Sequence, residues 1–155
     1  NLGNGRFEDV SAQAGSVFDL SEVSRGAAFG DIDNDGDVDV LVTNNGGPVR
    51  LLINEVGHHR RWVGLRLVGG TGPRDMLGAR VGVVLDEGPI LWRRVHADGS
   101  YASANDSRVL VGLGSSESIL RVTVAWPSGN VEEWTDIGID RWSTLTEGTG
   151  RPGAD

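Results

Sequence analysis

Residues 31–39 read Asp-Ile-Asp-Asn-Asp-Gly-Asp-Val-Asp, five carboxylates in nine positions. In water, like charges roughly 5 Å apart repel by about 1 kcal/mol, and by more near a protein surface. A counter-charge is therefore expected, and the spacing points to its kind. Asp31, Asp33 and Asp35 alternate, Gly36 permits a sharp turn, and Asp39 returns four residues after Asp35. Hard oxygen donors converging from a tight loop suit Ca²⁺, which takes six to eight oxygens in a flexible geometry. In this reading Asp31, Asp33, Asp35 and Asp39 give side-chain oxygens. Asp37 gives its backbone carbonyl and turns its side chain to solvent. The alternative is a solvated acidic turn without a metal.

The elements around the loop argue against an EF-hand. That motif needs a Glu at loop position 12 and a helix on each side. Position 12 counted from Asp31 is Val42. Val38–Thr43 is rich in β-branched residues and reads as a strand, while Arg25–Gly30 is short and Gly-punctuated with no helical period. The loop is expected to join two strands, with Asp39 closing the site from the start of the second.

Phe29-Gly30 followed by D-x-D-x-D-G-x-x-D resembles the FG-GAP repeat, also called a VCBS-type repeat. Asn44–Pro48 and Val49–Asn54 resemble the next turn and strand of the same repeat, and Asn4–Ser11 the end of a preceding one. That resemblance implies one propeller-blade-like unit over residues 1–57 with a calcium-binding loop. A second set of blocks follows: Trp62–Gly69, Arg74–Val81, Gly99–Ser103, Val111–Gly114 and Val122–Gly129. In this order they resemble the ASPIC and UnbV domain, expected over 58–148, with 149–155 as a flexible tail. That domain typically follows FG-GAP repeats in secreted or surface proteins. The resemblance implies an extracellular location and carries no established chemistry.

Strand patterns agree with an all-β fold. Val122, Val124 and Trp126 alternate with Arg121 and Thr123, and Val81, Val83 and Leu85 alternate likewise. Further strands are expected at Trp62–Val68, Ile90–His96, Val109–Val111, Val131–Trp134 and Ser143–Thr146. A small β-sandwich or partly closed barrel would accommodate them. Phe18–Val23 is expected to be a loop or a single turn.

Charge and composition narrow the function classes. The net charge is −8, all 14 basic residues are Arg, and there is no cysteine. Disulfides and Cys-ligated zinc are therefore excluded. Residues 1–57 carry 10 acids against 3 Arg, whereas 58–155 carry 12 against 11, so the excess negative charge surrounds the acid loop. An acidic chain is a poor partner for nucleic acid, and no apolar stretch reaches the roughly 18 residues of a membrane-spanning helix.

No enzymatic activity is expected, because the sequence holds no G-x-S-x-G elbow, H-E-x-x-H pair or Gly-rich phosphate loop. His58 to Arg61 reads as an exposed basic linker. Asp75, Asp98 and Asp106 lie in expected loops and could form a second acidic site. Asn105-Asp106-Ser107 is an N-glycosylation sequon. Of the five Trp, two or three are expected in the core, and an exposed one could stack on a glycan.

The expected role is a calcium-stabilised extracellular structural or adhesive protein. It could assemble into a homo-oligomer or fibre through strand exchange, with Arg6–Val10 as the donor strand. The alternative is a glycan- or protein-binding module forming the C-terminal part of a larger secreted propeller protein.

Overall fold

The computed structural model describes residues 2 and 4–153. Among them the regular elements are strands and three short 3-10 turns, with no α-helix and hence no helix long and apolar enough to cross a membrane. The strands are β1 (Ser24–Gly30), β2 (Asp39–Asn44), β3 (Arg50–Leu52), β4 (Arg61–Val68), β5 (Arg80–Val84), β6 (Leu91–Arg94), β7 (Val109–Gly114), β8 (Arg121–Ala125), β9 (Val131–Trp134), β10 (Trp142–Thr146) and β11 (Arg151–Pro152). They make three open sheets with orders β1-β2-β3, β10-β4-β7 and β11-β9-β8-β5-β6. Phe18–Val23 forms no strand, and a 3-10 turn at Ser16–Asp19 covers its start.

The second and third sheets share one apolar core. Alternation does the sorting, since successive side chains of a strand face opposite ways. Val63, Leu65 and Leu67 of β4, Val109, Val111 and Leu113 of β7, and Leu145 of β10 meet Val81 and Val83 of β5 and Val122 and Val124 of β8. Trp126 closes the end of this core, and Trp134 packs edge-on to it with ring centroids 6.2 Å apart. Trp126-Pro127-Ser128-Gly129-Asn130 is the hairpin turn expected between β8 and β9. The Trp126 N–H donates to Asn130 O, and Gly129 has a φ of 94°.

Two features differ from expectation or escape it. The tail at 149–155 is not wholly flexible: Arg151–Pro152 pairs with Glu132 and Glu133 as an edge strand, and Gly150 lies against Trp134. An edge position suits Pro152, which has no N–H to give to a further neighbour. Residues 154 and 155 lie outside the described residues. The second feature is the parallel pairing of β10 with β4, which sets Trp142 beside Gly64. A Cβ on Gly64 would lie 2.3 Å from the Trp142 ring. Glycine here makes room for an indole on the outer face of the sheet.

The sheet β1-β2-β3 is an antiparallel meander whose β1 edge is covered by the loop before β7. The Asp106 N–H donates to Phe29 O at 2.9 Å, the Phe29 N–H to Asn105 Oδ1 at 3.0 Å, and the Ala27 N–H to Ser100 Oγ at 3.3 Å. Its apolar side chains are poorly covered: Phe29 is 44% exposed, Leu41 36% and Leu51 49%. Residues 6–10 join no sheet. Truncating the shared core should be costly. We expect Leu65→Ala to destabilise the fold by about 2–5 kcal/mol, and Leu120→Ala, at an exposed position, by about 0.5 kcal/mol or less, in urea unfolding followed by tryptophan fluorescence.

Candidate metal centre

The acid loop leaves β1 at Gly30 and enters β2 at Asp39. Asn34 takes a φ of 64° and Gly36 one of 99°. Asn tolerates the left-handed region better than most residues, and Gly adopts it freely. These two turns fold the chain over its own first carboxylate. Asp31 Oδ1 accepts the Asp35 N–H at 3.1 Å and Asp31 Oδ2 the Gly36 N–H at 3.0 Å. Asp39 bridges the two ends of the site, with Oδ2 accepting the Ile32 N–H at 2.8 Å and Oδ1 the Asn54 N–H at 2.9 Å.

Carboxylate oxygens of Asp31, Asp33 and Asp39 all lie within 4.8 Å of one another, and the group could hold a metal ion. Two oxygens on opposite sides of a cation with 2.3–2.6 Å bonds stand roughly 4.6–5.2 Å apart, so the spacing is one that a cation of this size spans. The donor set is all oxygen, which matches a hard cation. Asp31 is 3% exposed and Asp39 1%, while Asp33 reaches solvent and gives the site an open side.

The other two acids take different places. Asp35 Oδ1 accepts the Asp37 N–H at 3.1 Å, tightening the turn. Asp37, expected to face solvent, is 4% exposed. The cause is the turn at Gly57–His59, which folds over it. Asn54 Oδ1 caps that turn by accepting the N–H groups of Val56 and Gly57, and a Cβ on Gly57 would lie 2.4 Å from the Asp37 Cβ.

A ring of residues on or beside the other two sheets holds the loop, and neither motif nor spacing marks them. Trp142 Nε1 donates to Asp31 Oδ2 at 3.2 Å. Arg108 donates from Nη2 to Asp31 O and from Nη1 to Asn34 Oδ1, both at 2.7 Å, and its guanidinium lies 4.0 Å from the Trp142 ring centroid. Trp62 meets Trp142 edge-to-face at 5.9 Å. A Cβ on Gly36 would lie 2.1 Å from the Trp62 ring. The loop backbone therefore rests directly on an indole. The only sequence signal for this layer is the presence of Trp at the ends of two strands, which reads equally well as core.

Asp75, Asp98 and Asp106, which could have formed a second acidic site, make no such group among the described residues. Asp75 bonds Arg66 and Ser107, Asp98 lies against Arg94 and His96, and Asp106 pairs with Arg108 at 2.6 Å. Burial pushes the Asp75 carboxyl up, but the Arg66 and Ser107 hydrogen bonds outweigh it and hold the group below its usual range. Among the described residues, Asp31, Asp33 and Asp39 are the acidic group with metal-site spacing. At the sequon, Asn105 Nδ2 donates to Asp98 O while Oδ1 accepts from Phe29, so its amide ties the loop to β1. Of the tryptophans, Trp62 and Trp126 are buried, whereas Trp92 is 43% exposed beneath Arg80.

The ASPIC and UnbV family model matches residues 69–152. The chain belongs to this family. Over 58 residues it is 43% identical to cartilage acidic protein 1 of Mus musculus, a stretch equal to 37% of this chain and 9% of that protein. The chain thus matches under a tenth of the curated relative's length. Both Arg108 and Trp142 fall inside the family match, whereas the acid loop and Trp62 precede it.

Two glycines separate strain from collision. Gly36 and Gly46 both have positive φ, but a Cβ on Gly46 would meet nothing within 4 Å. Gly46→Ala should cost about 1–2 kcal/mol for its backbone conformation. Gly36→Ala should cost about 1–3 kcal/mol more, because the methyl group would strike the Trp62 ring. Thermal unfolding of the two variants checks the difference, and equal losses would refute the contact.

Proposed function

We propose that this chain is a calcium-stabilised extracellular β module with a structural or adhesive role and no catalytic activity. The observation that carries the reading is the state of Asp31 and Asp39. Both are buried, both accept only neutral N–H donors, and neither joins an ion pair among the described residues. Neutral donors can accommodate one buried carboxylate, but they do not cancel the repulsion between carboxylates gathered within 4.8 Å of one another. A dication shared with Asp33 supplies the counter-charge. Asp35 and the Asp37 carbonyl complete the ligand set in this reading, and the FG-GAP repeat that residues 29–39 resemble implies a calcium-binding loop.

Calcium fits better than magnesium because it accepts the irregular oxygen geometry that one loop offers, whereas magnesium demands near-ideal octahedral geometry. Extracellular modules commonly bind Ca²⁺ near 10⁻⁴ to 10⁻³ M, about the concentration they meet outside the cell. The acidic balance and the likeness to cartilage acidic protein 1 support the same setting.

Because only the folded loop gathers the ligands, Ca²⁺ should stabilise the fold by about 2.7 kcal/mol at a hundredfold excess over its dissociation constant. Thermal melting in calcium and in chelator measures this. Asp39→Ala should erase the difference between the two conditions. Identical midpoints for the parent chain, with no calorimetric heat on adding Ca²⁺, would end the calcium reading.

A second reading concerns what covers the sheet β1-β2-β3. Ala28, Leu41 and Leu51 lie on one face and Phe29, Val40 and Leu52 on the other, as the pairing register requires. Apolar residues on both faces suit a blade stacked between neighbours, and a propeller needs about four to eight blades. The chain then works as the C-terminal part of a longer secreted propeller that binds a glycan or protein. The alternative cover is a second copy, with residues 6–10 pairing along the open β3 edge. Light scattering on the 155-residue chain separates the two. Self-assembly lost on deleting residues 1–10 supports strand exchange, and a folded monomer at high concentration supports the longer propeller.

A further inference from the structure

Asp31 is gripped at both ends by residues that lie far from it in the chain. Its carboxylate receives the Trp142 indole N–H, and its carbonyl receives the Arg108 guanidinium. The same guanidinium holds Asn34 Oδ1, pairs with Asp106 and stacks on Trp142. The neighbouring Asp106 N–H donates to Phe29 O, two residues before Asp31. The loop that would hold the cation and the surface on which it docks therefore share atoms.

We propose that Arg108 and Trp142 are positioning residues of the metal loop, so that cation binding and docking of the β1-β2-β3 sheet onto the ASPIC and UnbV unit form one coupled equilibrium. The proposal rests on the calcium reading above. Without a cation, repulsion among Asp31, Asp33 and Asp39 favours a wider loop. Widening moves Asp31, and with it the carbonyl and carboxylate that Arg108 and Trp142 hold. Linkage makes the effect reciprocal: whatever factor the docked surface adds to cation affinity, the cation adds to docking.

Charge alone predicts the opposite sign. An arginine beside a cation site repels the cation, so removing it would tighten binding. Here the Arg108 charge is balanced by Asp106 at 2.6 Å, and what remains is a fork aimed at three acceptors. Lysine keeps the charge but loses the planar fork. The two accounts are therefore separable.

Calorimetric titration of CaCl₂ into the whole chain, with Arg108→Lys, Arg108→Met and Trp142→Phe beside the parent, provides the test. Loss of such supporting groups commonly weakens metal binding 10- to 100-fold, and we expect each of the three to bind about tenfold or more weakly. Hydrogen exchange at the Asp106 amide supplies a measurement that needs no interface variant. Ca²⁺ should slow it in the parent chain and leave it unchanged in Asp33→Asn, which removes the exposed ligand and touches none of the docking contacts. Parent-like affinity for Arg108→Lys with tighter binding for Arg108→Met would overturn the proposal in favour of simple repulsion. So would Asp106 exchange indifferent to Ca²⁺ in a parent chain that binds it. A parent chain that gives no heat withdraws the calcium reading, and the coupling with it.

Discussion

The contact of Asp31 with Trp142 and Arg108 fixes the acid loop on the rest of the molecule, and several otherwise separate features follow from it. Trp142 can reach Asp31 only from the outer face of β4, so position 64 must carry no side chain. Arg108 can reach the loop only if its own charge is answered nearby, which Asp106 does. The loop can lie close enough only if Gly36 presents bare backbone to Trp62. Each of these residues is intelligible once the indole and the guanidinium are in place, and none of them is without it.

Buried acids elsewhere in the chain show why the loop is a special case. Glu132 is also buried, and the Trp126 indole and the Gly148 N–H satisfy its oxygens. One carboxylate can be accommodated by neutral donors of this kind, as hydrogen bonds to the charged form favour it. The loop uses similar donors but gathers three carboxylates within a few ångströms. Neutral dipoles can solvate each charge, yet they cannot cancel the repulsion between them. That difference separates a structural acid from a group of acids that could hold a metal ion.

Much of the fold was readable because local pattern and burial agree. Val122 and Val124 alternate with polar neighbours and both point into the core, so β8 was visible from periodicity alone. The acid loop was visible because five Asp at that spacing have few other uses. What escaped was everything set by distant partners. Whether Asp37 faces solvent depends on the turn at Gly57–His59, which no pattern in residues 31–39 encodes. Arg151–Pro152 looks like a loose terminus by composition and becomes a strand because β9 offers an edge. Arg108 reads as an ordinary polar residue until the fold brings Asp31 and Asn34 to it.

The pairing of β10 with β4 also governs the order of events in folding. Trp142 and Asp31 are separated by 111 positions in the chain, and the parallel strand that carries Trp142 must cross back to β4 before its indole can arrive. Contacts of such long range form slowly, because the entropy of closing the intervening chain is lost before they contribute. During synthesis the acid loop emerges 111 positions ahead of Trp142 and waits for it. Its own carboxylates are present from the start, but the surface that orders them is complete only once β10 has paired with β4, so a fully formed loop marks a molecule whose β10 has already docked.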